Sequence, residues 1–180
     1  MRELTIDSDK ANLMGLFWLI PIVILFGLPF YFLWHETINF HAEIMMLKAN
    51  IFTILFVLLV FIVVHELLHA LAYLILTKGD YKNISFGIIW RNMTPYCHYS
   101  KPVNILQYRV ALVLPGIITG VIPLIYAMIK GNFSVFAFGI IFFLGAIGDF
   151  MILWIIRKEK AETMIKDHPD KIGCIIIEND

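Results

Sequence analysis

His65-Glu66-Leu67-Leu68-His69 is the segment of this chain best equipped for chemistry. On a helix of 3.6 residues per turn, positions i and i+4 project about 40° apart, so both imidazoles can reach one metal ion. Imidazole suits Zn2+, and a catalytic zinc site keeps one position open for water. Glu66 lies one step round the helix, close enough to take a proton from a water that the metal activates. The pattern points to metal-assisted hydrolysis, with Glu66 as catalytic base and His65 and His69 as metal ligands.

Two histidines rarely complete a zinc site. Asp149 is the candidate for the third ligand, because it is the one acidic residue inside the last apolar stretch. Depth agrees. His69 and Asp149 each lie seven residues before the cytoplasmic end expected for their helices, about 10 Å at 1.5 Å per residue. Gly145 and Gly148 flank Asp149 and are expected to let that helix approach its neighbour closely. His35 and His41 lie at the wrong depth and read as surface histidines. His98, beside Cys97, could contact metal or substrate but is read as structural or surface. His168 reads as a residue of the polar tail.

The elements that must hold these groups are apolar helices. Hydrophobic residues make up 60% of the 180 and charged residues 16%, with mean hydropathy +0.82. That is too apolar for an ordinary soluble domain and calls for a lipid bilayer as partner. Four stretches, about 13–34, 49–77, 110–129 and 134–156, are long enough to span it. The expected fold is an all-α membrane protein, a single domain over 1–180 with a cytoplasmic tail at 157–180. The 13–34 stretch is read as a retained helix, because mixed charges precede it and no small-residue cleavage site follows. Residues 84–90 and 94–99 are rich in strand formers, and Arg91-Asn92-Met93 between them could turn the chain. A short β-hairpin is expected there, and one strand in the tail.

Lysine and arginine are distributed unevenly. Two precede the first stretch, five lie from Lys78 to Arg109 and five follow the fourth, against Lys48 and Lys130 in the other two loops. This places both termini and the middle loop in the cytoplasm of a multi-pass cell-membrane protein. Cys97 and Cys174 then face a reducing compartment as free thiols. Zero net charge speaks against nucleic acid as a partner. Oligomeric state is left open.

An HExxH helix with a distant acidic ligand resembles the site-2-type intramembrane metalloproteases. More closely, the chain resembles a bacterial family catalogued as putative zincin peptidases. Thr94-Pro95-Tyr96-Cys97-His98, Leu114-Pro115-Gly116, Gly148-Asp149 and Asp167-His168-Pro169 carry that likeness, from about Val64 onward. The resemblance implies zinc and peptidase chemistry. Site-2 proteases typically supply that ligand from an Asn-Pro-Asp-Gly or Leu-Asp-Gly segment; in Gly148-Asp149-Phe150 the aspartate matches and the asparagine and proline are absent.

The resulting expectation is a zinc-dependent endopeptidase acting on membrane-associated protein or peptide substrates. Residues 84–99 could hold an unwound substrate as an added strand, and Pro115-Gly116 could open a water path. The alternative is a catalytically inactive metal-binding membrane scaffold or chaperone. A metal-ion transporter would need ionisable residues inside the first and third helices, and neither has any between its flanks.

Overall fold

All four apolar stretches are helical in the computed structural model, which describes residues 1–6, 8–90, 94–169 and 171–177. The spans run Leu13–Trp34, Ile51–Leu76, Ile105–Lys130 and Phe133–Ile155, each long and apolar enough to cross a membrane. The share of their apolar windows buried inside the protein runs from 6% in Ile51–Leu76 to 39% in Ile105–Lys130. Side chains such as Phe52, Leu25 and Ile129 point outward. This is the signature of a membrane protein, in which lipid rather than protein covers the apolar helix faces.

Prolines shape two spans. The first comprises strand β1 at its approach (Arg2–Ile6), α1 (Ser8–Ile22), a π-helical turn at Val23–Gly27 and α2 (Leu28–Trp34), with Pro21 and Pro29 on either side of the turn. The third comprises α5 (Ile105–Pro115), a π-helical segment at Gly116–Val121 and α6 (Ile122–Lys130). A proline has no N–H for the carbonyl four residues back, and the ladder widens around it. This span starts five residues before the expected Val110. The signal was Asn104-Ile105-Leu106-Gln107: Asn104 caps the helix and Gln107 reaches back to the Asn104 N–H at 3.1 Å.

The connection after the first span holds a short helix, α3 (Phe40–Ala49), capped by Asn39. The HExxH helix α4 (Ile51–Leu76) follows and stops at Lys78-Gly79, both at positive φ. Next come β2 (Ile84–Ile89) and β3 (Thr94–Tyr99), paired antiparallel from Ile84↔Tyr99 to Ile89↔Thr94. This is the expected hairpin; the turn expected at Arg91-Asn92-Met93 lies outside the described residues. Strand β4 (Val103–Asn104) leads into α5. The fourth span is interrupted at Ala146, giving α7 (Phe133–Gly145) and α8 (Ile147–Ile155).

An all-α description needs correction. The two tails form β1, β5 (Met164–Asp167) and β6 (Ile172–Ile177), which join β4 in an antiparallel sheet ordered β1-β6-β5-β4. The Arg2–Ile6 segment reads as a charged flank in isolation and becomes a strand by pairing with β6, Arg2↔Ile176 to Ile6↔Ile172. Burial of Ile165, Cys174 and Ile176 against Ile105, Tyr108 and Ile156 fastens this sheet to the ends of α5 and α8. A second core, around Phe30, Leu124, Ala127 and Phe136, packs the first span against α6 and α7.

Candidate metal centre

Two elements far apart in sequence converge on one point. His65 and His69 lie on the same face of α4, with ring centroids 5.1 Å apart. Asp149, in the first turn of α8, faces both. Its Oδ2 stands 3.2 Å from His65 Nε2 and 3.5 Å from His69 Nε2. One ligand atom from each of the three lies within 4.8 Å of the others. Ligands of a tetrahedral zinc, each at about 2.0–2.1 Å, stand roughly 3.3 Å apart. The two separations from Asp149 fall on either side of that edge length.

The hydrogen bonding of His69 fits a metal as well. Its Nδ1 lies 2.9 Å from the Ala111 carbonyl oxygen, which can only accept, so Nδ1 carries the proton. In the neutral ring Nε2 then presents a lone pair toward a carboxylate oxygen. Two acceptors facing each other are reconciled by a metal ion between them or by a proton on Nε2, and a carbonyl behind the histidine is the usual partner of a metal-ligating ring. The sequence explains why that carbonyl is available. Ala111 would normally receive the N–H of residue 115, and residue 115 is a proline.

A cavity of about 430 Å³ opens beside the three residues. Glu66 lines it, and the backbone N–H of Cys97 on β3 faces the Glu66 carboxylate. Gly145 and Gly148 also line it. The close approach expected of them is not what they provide: a Cβ on either would meet nothing within 4 Å. They leave space beside Asp149. Close helix contact is made instead by Gly120, where a Cβ would stand 2.9 Å from Phe143 Cα, and by Gly116 against Phe150.

The other histidines divide. His35 and His41 are exposed. His98 lines the cavity, with Nδ1 3.9 Å from Asp167 Oδ2. His168 lines it too, and its Nε2 lies 3.4 Å from Glu3 Oε2 on β1. Neither belongs to the metal-spaced group, the one such group among the described residues. Tyr73, Tyr108 and Asp167 also line the cavity, and residue types alone do not single them out. Tyr73 carried a usable signal, since it continues the His65–His69 stripe at i+4.

A family model described as "Putative zincin peptidase" matches residues 58–164, a stretch that includes His65, Glu66, His69 and Asp149. Comparison with curated proteins gives no match, and comparison with solved structures gives none either.

Proposed function

The chain belongs to this zincin peptidase family, and on that premise we propose that it is a membrane-embedded zinc endopeptidase whose metal is held by His65, His69 and Asp149. The observation that carries the reading is the convergence of the three ligand atoms from α4 and α8, 84 residues apart at His65 and Asp149. Bound there, zinc supplies Lewis acidity, polarising the scissile carbonyl and making water acidic near neutral pH. The remaining steps belong to the chain. Glu66 takes the proton of the attacking water and delivers it to the leaving amine. The Ala111 carbonyl fixes the His69 tautomer and ring angle. The cavity walls limit access of bulk water to the reacting bond.

The substrates in this reading are membrane-associated proteins, entered from the cytoplasmic side, with both termini of this chain in the cytoplasm. A transmembrane segment must unwind before its amides are accessible, and the β2–β3 hairpin offers a strand to pair with. The edge can be narrowed. Tyr99 gives its N–H to Asp167 Oδ2 at 2.9 Å, so the residues of β3 sharing its direction turn their amides away from β2. These are Cys97, which faces Glu66, and Pro95, which has no N–H. An added strand therefore pairs with the outer edge of β2, at Ile84, Phe86 and Ile88.

The test is zinc per chain in detergent-purified protein, with cleavage of membrane-anchored peptides measured in parallel. Wild type and Glu66→Gln should each hold about one zinc, and His65→Ala and Asp149→Asn should lose it. Cleavage should vanish in Glu66→Gln. A zinc-free wild type after resupply would refute the ligand set. Full cleavage by Glu66→Gln would refute the general-base role.

A further inference from the structure

The cavity continues past the metal triad to a second polar group. Tyr73 follows His69 by one turn of α4, and its hydroxyl donates to Asp167 Oδ2 at 3.4 Å. The Tyr99 N–H donates to the same oxygen, and His98 Nδ1 stands 3.9 Å from it. All three contacts fall on Oδ2. The Oδ1 atom of this cavity-lining residue takes none of them. The buried Tyr108 hydroxyl also faces the Asp167 carboxyl. No lysine or arginine lies within ion-pair distance of Asp167 among the described residues. Lys171, at the cavity wall, reaches Glu3 at 3.3 Å. Burial pushes the Asp167 carboxyl above its usual range. A desolvated carboxylate with no lysine or arginine beside it is costly, and the cost falls when a cation arrives.

We propose that Asp167, together with the Tyr108 hydroxyl, forms a subsite for the cationic side chain of a lysine or arginine in the peptide substrate. This rests on the peptidase reading and names its substrate class. The position of the basic residue follows from the helix. One turn from His69 to Tyr73 is about 6 Å, and an extended peptide covers that in about two residues at roughly 3.3 Å each. The lysine or arginine therefore sits about two positions from the scissile bond, toward the end of α4. Tyr73 is three residues from Leu76, where α4 stops, and Asp167 lies on a strand beyond the four spans. The subsite thus faces the place where transmembrane segments carry their basic flanks. A purely structural Asp167, tying β5 to β3 through Tyr99, would show no preference for charge in a ligand.

The experiment uses the full chain in neutral detergent, carrying Glu66→Gln so that the probe stays intact. The probes are two fluorescein-labelled apolar peptides of about 20 residues, one with a lysine at the flank and the other with glutamine there. Fluorescence anisotropy should show the lysine peptide binding at least about tenfold more tightly, the size of one charge-assisted hydrogen bond. Asp167→Asn keeps an acceptor for Tyr99 and Tyr73 but removes the charge. It should bring the two peptides within about twofold while zinc content stays unchanged. Tyr108→Phe, which removes the hydroxyl beside Asp167, should lower the preference while zinc content stays unchanged. Equal affinities before substitution, failure of either peptide to bind, or a preference that survives Asp167→Asn would each overturn the subsite. Wild-type protein that retains the lysine preference yet cleaves neither peptide would refute the peptidase reading and support the subsite.

Discussion

Pro115→Ala should make the protein more stable and its metal site weaker. Proline inside a helix costs up to about 3 kcal/mol relative to alanine, through the missing N–H and the ring's clash with the preceding turn. Alanine recovers part of that, less whatever the neighbouring π-helical segment already relieves. The restored N–H points at the Ala111 carbonyl, which now accepts from His69 Nδ1 at 2.9 Å. Competition for that carbonyl loosens the ring that presents Nε2 to Asp149. Losing the hydrogen bond behind a ligating histidine weakens metal binding by about 10- to 100-fold, or about 1.4–2.7 kcal/mol. The assay is a competition titration of zinc against a chromophoric chelator, beside SDS unfolding of the metal-free protein. Opposite signs in the two measurements are the expected result. Greater stability with unchanged zinc affinity would refute the reasoning, because the carbonyl would then serve both donors at once.

Further perturbations separate the remaining parts of the argument. Gly145→Ala and Gly148→Ala should be neutral to about 1 kcal/mol stabilising, because the added Cβ meets open space. Gly120→Ala should cost about 1–3 kcal/mol, because its Cβ would press on the Phe143 backbone. The same SDS unfolding assay ranks all three, and equal losses at Gly148 and Gly120 would contradict an open cavity. Gly173→Ala should strip hydrogen-exchange protection from residues 2–6. Gly173 has φ +139°, and a Cβ there would collide with the Leu4 carbonyl oxygen in β1. Burial, with help from nearby carboxylates, pushes the Cys97 and Cys174 thiols up to about 12 from an ordinary 9.0. At pH 8 each therefore carries roughly a thousandfold less thiolate than an unperturbed cysteine. Alkylation should be slow in detergent and fast in SDS, and fast reaction at Cys97 under native conditions would contradict its packing.

The candidate site is more legible in the sequence than the sheet. His65, Glu66 and His69 declare themselves because helical periodicity is local, and Asp149 follows because an acid inside an apolar span needs a partner. The spans follow from hydropathy alone. What local patterns do not encode is pairing between residues nearly a chain length apart. Leu4-Thr5-Ile6 is an unremarkable strand former until Ile172–Ile177 lies beside it. The Gly145 and Gly148 spacing suggests helix contact, yet their neighbours in space determine that they border a cavity. Asp167 stood out only as part of a family-like motif. Its role beside Tyr73, Tyr99 and Tyr108 depends on β5 docking under α4 and α5, a tertiary event with no periodic signature.

The β1–β6 ladder also imposes an order on how the protein is made. Residues 2–6 are made before any of the four spans, yet their partners at 172–177 follow all of them. His65, His69 and Asp149 can come together once α8 has been made. The wall carrying Asp167 waits for a further stretch of chain, roughly one to several seconds at about 5–20 residues per second. During that interval His65, His69 and Asp149 stand together without the sheet that bounds the cavity.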